Sequence, residues 1–291
     1  MPKLLGSFIS FKAPNYFVQS AQDAIAIDAT ALMVFLGPPH SAYRVPFNKM
    51  QFSLGYELLK TKNINSNGLV VHAPYIINCA SKDPLKQQNA ISVLTNEIQL
   101  CNLAGAHYLV LHPGSAVAQT TNEALDNLVK VLNQVINKTK TTVICLETMA
   151  GKGNEIGRDL TELKYVIDRI VDKDRIGVCL DTCHFHDSGI DFSDLTGVFK
   201  TITTKLGFEF LKVIHLNESK NNCGSKKDRH ANINAGMIGF ENLMKFISHP
   251  QIKDLPIILE TPSTSLNYPT IYREEISQIR SWFKTYQPDA N

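Results

Sequence analysis

The sequence predicts an α/β fold, a single-domain (β/α)8 barrel spanning residues 1–291. Three observations lead there. Short runs rich in Val, Ile and Leu alternate with longer segments of helical period, the pattern of βα units around a parallel sheet. The runs number eight, each bounded by Gly, Pro, Asn or other polar residues. No Pro- or Ser-rich linker, charge block or low-complexity tract marks a domain boundary. An open doubly wound sheet would show the same continuous apolar runs, because both designs cover their strands on both faces. The count of eight, and the residues that end the runs, favour the barrel.

In chain order, Leu4–Ser10 opens the pattern and the amphipathic stretch Tyr16–Ala26 follows it. Ala31–Leu36 precedes Lys49–Lys62, Gly68–Pro74 precedes Pro84–Leu103, and Tyr108–Gly114 precedes Asn122–Asn137. In this fourth helix Leu125, Leu128, Val129, Leu132 and Val135 recur at steps of three and four, which puts them on one face. Thr142–Thr148 leads to Leu160–Ile170, Ile176–Thr182 to Leu195–Leu206, Phe210–Asn217 to Phe240–His249, and Pro256–Pro262 to Glu274–Tyr286.

Composition excludes several classes. With 44% hydrophobic and 19% charged residues the chain is neither disordered nor fibrous, and its length is ample for a sizeable core. No apolar run approaches the ~20 residues that cross a bilayer, and the apolar stretch at Leu4-Leu5 breaks too early for a signal peptide, so a cytoplasmic protein without membrane contact is expected. Net charge is 29 − 27 = +2, too mild to announce nucleic-acid binding by bulk charge. The 6 Cys include no C-x-x-C pair, and Cys145 and Cys179 lie inside apolar runs, as reduced core thiols do.

In a parallel barrel the active site lies at the carboxyl ends of the strands, so polar residues that terminate apolar runs carry the information. Six successive runs end alike: Val71-His72, Leu111-His112, Leu146-Glu147, Leu180-Asp181, Ile214-His215 and Leu259-Glu260. Any one of these reads as a capped structural residue. Together, three imidazoles and three carboxylates on one face would go uncompensated without a cation. Oxygen and nitrogen ligands without cysteine suit zinc, manganese or iron(II), and the histidines lean towards zinc. His184, three residues past Asp181, and Asp228 and His230 on a downstream loop bring the candidates to nine, more than one tetrahedral ion uses. Three ions with shared ligands fit the number better. His186, His40, His107 and His249 lack a convergent partner in sequence and read by default as ordinary surface or packing residues. Lys220, Lys226 and Lys227, with Arg229, read as a solvated loop or, beside a polymetal site, as holders of phosphates.

The stretches His72-Ala73-Pro74-Tyr75, Leu111-His112-Pro113-Gly114, Glu147-Thr148-Met149-Ala150-Gly151, Asp181-Thr182-Cys183-His184, His215-Leu216-Asn217-Glu218-Ser219-Lys220, Asp228-Arg229-His230 and Leu259-Glu260-Thr261-Pro262 resemble, in order and as a set, the endonuclease IV family of apurinic/apyrimidinic endonucleases. The resemblance implies a monomeric, zinc-dependent TIM barrel that cleaves the phosphodiester 5′ to abasic sites in duplex DNA, leaves a 3′-hydroxyl, and trims blocked 3′ ends. It also implies three zinc ions, with manganese an alternative at one position. By similarity His72, His112 and Glu147 hold the first, Glu147, Asp181, His215 and Glu260 the second, and His184, Asp228 and His230 the third. Glu147 and Glu260 are the carboxylates expected to orient the attacking hydroxide. Tyr75 and Ile76, just past His72, match a loop that penetrates DNA in relatives.

Two departures stand out. The family's glycine-rich Ile-Gly-x-Gly-x-Ile-Gly reads Ile233-Asn234-Ala235-Gly236-Met237-Ile238-Gly239 here, with Asn able to take the left-handed conformation. Where relatives carry an arginine that enters DNA, His40, Tyr43 and Arg44 are the candidates in Gly37–Arg44. Two other readings stay open: a sugar isomerase or epimerase using Glu147, Asp181, His215 and Glu260 around one ion, and a non-catalytic damage-binding protein with structural zinc.

Overall fold

The computed structural model describes residues 1–62, 64 and 66–286. Its elements run β1 (Leu5–Phe8), α1 (Phe17–Ala26), β2 (Ala31–Val34), α2 (Phe52–Lys60), β3 (Leu69–His72), α3 (Pro84–Ala104), β4 (Tyr108–Leu111), α4 (Thr121–Lys138), β5 (Val143–Glu147) and α5 (Leu160–Arg169). They continue with β6 (Ile176–Asp181), α6 (Thr182–Asp187), α7 (Leu195–Lys205), β7 (Leu211–His215), β8 (Glu218–Ser219), β9 (His230–Ala231), α8 (Phe240–Ser248), β10 (Ile257–Leu259) and α9 (Thr270–Thr285). β1 to β7 and β10 form a closed, all-parallel barrel in which β1 pairs with both β2 and β10. Each barrel strand lies inside one of the eight apolar runs.

Burial explains why these runs are apolar throughout. One face of the strands fills the barrel with Ala31, Met33, Val70, Val110, Cys145, Cys179, Val213 and Ile258, all buried. The other face packs under the helices in a second, larger cluster. Local signals set the helix ends. Asp83 accepts the Leu85 N–H at the start of α3, Pro84 supplies its first residue, and Gly105 ends it in the left-handed conformation. Thr120 and Glu123 form a reciprocal capping box on α4, whose Leu125, Leu128, Leu132 and Val135 are buried as expected. Val129 lies at the margin of that face, which Val131 and Ile136 complete.

Four elements differ from the sequence reading. α2 begins at Phe52 rather than Lys49, because Gln51 sits at φ 60° and separates it from a 3-10 turn over Phe47–Lys49. α9 begins four residues before Glu274, with Tyr272 on its buried face. A short helix unseen in the periodicity, α6, follows β6 directly, its N-terminus capped by the Asp181 carboxylate. The polar stretch after β7 is not a solvated loop at its start: Asn217, Glu218 and Ser219 are fully buried, and β8 pairs antiparallel with β9. That ribbon folds the distant His230 back over the barrel mouth. Asn234 adopts φ 68°, the left-handed conformation that Asn tolerates. No helix among the described residues is long and apolar enough to cross a membrane.

Candidate metal centre

Parallel register delivers six of the nine candidate side chains to one end of the barrel, and connecting segments bring the other three. His72, Glu147, Asp181 and His215 are the last residues of β3, β5, β6 and β7, while His112 and Glu260 come one residue after β4 and β10. α6 supplies His184, and the segment running into β9 supplies Asp228 and His230. Potential ligand atoms fall into three groups, each within 4.8 Å: His72, His112 and Glu147; Glu147, Asp181, His215 and Glu260; and Asp181, His184 and His230.

Glu147, fully buried, joins the first two. Its Oε2 lies 3.2 Å from His72 Nε2 and 3.1 Å from His112 Nε2, and its Oε1 lies 3.2 Å from His215 Nδ1. His215 Nδ1 also meets Glu260 Oε2 at 2.8 Å. In the third group Asp181 Oδ2 lies 3.7 Å from His230 Nε2, and beside it Asp228 Oδ1 lies 3.0 Å from His184 Nε2 and 3.7 Å from His230 Nε2. Asp181 therefore reaches both the second and third groups.

The donor pattern fits metal cations. Nδ1 of His72, His184 and His230 each faces a backbone carbonyl: Ala73 O at 2.7 Å, Thr148 O at 2.9 Å and Glu260 O at 3.1 Å. A carbonyl only accepts, so Nδ1 carries the hydrogen and, in the neutral ring, Nε2 is left with its lone pair facing carboxylate oxygens. Acceptors facing acceptors require a cation between them. His230 Nε2, buried and without a hydrogen-bond partner, is the plainest instance. The electrostatics agree. Burial disfavours a charged His184 or His215, yet Asp181, Asp228 and Glu147 around the first, and Cys179, Glu260 and Glu147 around the second, outweigh it and hold both rings well above their usual range. Burial likewise pushes Glu260 up, but His215 draws it down to about 2. A field that favours protons this strongly also favours a metal ion.

The remaining sequence candidates lie on the loops after β2 and β3 and on the segment between β8 and β9. Tyr75 and Ile76, on the loop that follows the candidate ligand His72, are 41% and 43% exposed. The Tyr75 ring sits 5.2 Å from that of His72 and 5.0 Å from that of His112, with His40 at 5.5 Å on its outer side. His40 thus has the convergent partner that its sequence context did not show. Lys220, Lys226, Lys227 and Arg229 are exposed on the segment between β8 and β9. Arg44 is corrected: its side chain is buried against Glu97 of α3, Nε to Oε1 2.7 Å, and does not reach out to a ligand. His186 packs as expected, but its neighbour Asp187, together with Asn217, was missed. Both are buried polar residues hydrogen-bonded to candidate ligands, in contexts that give no periodic signal.

Comparison with known proteins shows the family and the fold. The family model described as xylose isomerase-like TIM barrel matches residues 21–284. Probable endonuclease 4 of Mycoplasma pneumoniae is 66% identical over 283 residues, which cover 97% of this chain and 99% of that protein. Among solved structures, endonuclease IV from Thermus thermophilus superposes with a TM-score of 0.82 at 26% identity, covering 97% of this chain and 100% of that one. A D-tagatose 3-epimerase-like protein superposes at 0.73 with 16% identity over 97% of each chain, a likeness of fold alone.

Proposed function

The chain belongs to the endonuclease IV family, within the xylose isomerase-like TIM barrels, and from that membership we propose that it is a zinc-dependent DNA repair endonuclease. In this reading it acts as a cytoplasmic monomer, a single barrel domain that hydrolyses the phosphodiester 5′ to abasic sites in duplex DNA. It leaves a 3′-hydroxyl and also trims blocked 3′ ends. The observation that carries the reading is the convergence of lone-pair imidazole nitrogens on carboxylates in three overlapping groups at the barrel mouth. An epimerase would use Glu147, Asp181, His215 and Glu260 and leave the other five side chains without a task.

Three zinc ions fit this donor set, with manganese an alternative at one position. His72, His112 and Glu147 would hold the first, Glu147, Asp181, His215 and Glu260 the second, and His184, Asp228 and His230 the third. When bound, such ions supply Lewis-acid stabilisation of a phosphoryl group and an activated nucleophile near neutral pH. The protein's own contribution is placement. Glu147 is fixed by imidazoles on both oxygens, whereas Glu260 keeps an edge open at the mouth, 15% exposed, from which it can orient the attacking oxygen. Tyr75, Ile76 and His40 would penetrate a duplex lying across the mouth. Lys220, Lys226, Lys227 and Arg229 would hold its phosphates.

Elemental analysis of chain prepared without chelator, together with cleavage of a duplex carrying one abasic analogue, tests this. About three transition-metal ions per chain and incision 5′ to the analogue are expected. A reproducible value near one, with the duplex left intact, would return the epimerase reading. Glu147→Gln should cut incision by about 100-fold or more while duplex binding survives.

A further inference from the structure

α6 ends in a hydrogen-bonded cluster outside the nine candidate ligands. Asp187, its last residue, is fully buried. Donors meet its carboxylate from the β8–β9 segment: the Ser219 hydroxyl donates to Oδ1 at 2.6 Å and the Asp228 backbone N–H to Oδ2 at 2.9 Å. The main chain repeats the attachment, with Lys226 N–H donating to the Asp187 carbonyl at 2.9 Å and Gly224 N–H to that of His186 at 3.0 Å. Lys226 and Asp228 both lie in the left-handed region, at φ 55° and 54°. A residue with a Cβ enters that region at a cost, smaller for Asp than for Lys, which the contacts around it can offset.

We propose that Asp187 is a positioning residue: by accepting the Asp228 N–H it holds that residue's backbone in the left-handed turn that brings its carboxylate onto His184 Nε2 and His230 Nε2. Asp187 reaches no ligand atom of the centre itself. It acts through Asp228, and it ties the ribbon bearing Asp228 and His230 to the helix bearing His184, so these three side chains stay in mutual reach. This rests on the reading that His184, Asp228 and His230 hold an ion.

The test is titration of zinc into metal-free protein against a competing chelator, for the parent, Asp187→Ala and Asp187→Asn. Asn keeps an oxygen for the Asp228 N–H, and its amide can donate to Ser219 Oγ. Positioning therefore predicts that Ala weakens one of three sites about 10–100-fold while Asn stays within about threefold of the parent. Equal affinity in the Ala variant would overturn the proposal. So would an equal loss in both variants, since that assigns the effect to charge rather than to the held N–H. Should Ala fail to fold, Asp187→Leu fills the space without an acceptor and carries the same expectation. A parent that binds fewer than three ions would overturn the functional reading and this inference with it, an outcome distinct from three ions bound equally by all variants.

Discussion

Asn217 donates its side-chain amide to Asp181 Oδ2 at 2.7 Å, and its amide oxygen accepts the Glu260 backbone N–H at 2.9 Å. Two candidate ligands on β6 and after β10 are thereby fixed by one side chain standing between them. Asp181 Oδ1 is already committed to capping α6 through the His184 N–H at 2.8 Å, so Asn217 sets the direction of the oxygen that remains.

Replacing Asn217 should therefore disturb metal binding more than folding. Asn217→Ala is expected to weaken zinc retention by about 10–100-fold, the usual effect of removing a partner behind a ligand. Asn217→Asp should do at least as much harm, because a second carboxylate would face Asp181 Oδ2. Zinc loss under a fixed chelator concentration is the measurement, and retention equal to the parent's in both variants would count against the assignment.

Much of this was legible in the sequence, for a physical reason. In a parallel barrel the strands are buried on both faces and the carboxyl ends open to the site, so His72, Glu147, Asp181 and His215 stand at the only places where an apolar run can stop on a polar side chain. Residues that act from short helices and connecting segments leave no such mark. Asn217 and Asp187 sit among polar neighbours, and burial, not composition, distinguishes them from solvated residues. Arg44 illustrates the converse. An arginine in a loop reads as exposed, and only the packing of that loop on α3 reveals its partner.

That buried pair supports a stability prediction. Arg44 and Glu97 are 3% and 0% exposed in their side chains, so Arg44→Ala strands a carboxylate in the core and should cost about 3–5 kcal/mol. Burial already pushes Glu97 above the usual carboxylate range, with Arg44 partly offsetting it. In the variant the folded state binds a proton that the unfolded chain has released, so stability falls as pH rises above the ordinary Glu value. Urea unfolding at pH 5 and pH 8 should show the larger loss at pH 8, and the reverse order would refute the argument.

The lysines between β8 and β9 are predicted to act on affinity alone. Lys226 and Lys227 are exposed, so any phosphate that either one holds is held electrostatically and independently of sequence. Lys226→Ala or Lys227→Ala should weaken duplex binding uniformly and lower the slope of log K against log salt by about 0.9 for each phosphate no longer neutralised. An unchanged slope would make them solvated residues only.

Metal chemistry by itself does not distinguish a missing base from an intact duplex, and the final prediction concerns that discrimination. Tyr75 is tethered through its N–H to the Pro39 carbonyl at 2.8 Å, so the loops after β2 and β3 are joined into one ridge carrying His40, Tyr75 and Ile76. Large side chains inserted between base pairs kink a duplex at a cost of a few kcal/mol per unstacked step. The cost is lowest where a base is absent, which turns a local weakness of the duplex into selectivity. The Tyr75 ring lies against His72 and His112 but remains 41% exposed, so its removal should leave the metal groups and the core intact. Tyr75→Ala is expected to keep zinc content and thermal stability, to lose incision of an abasic duplex, and to lose less on a nicked or flexible substrate. Comparing the two substrates decides the matter: equal losses on both would place Tyr75 in the chemistry, and none on the duplex would leave it as rim packing.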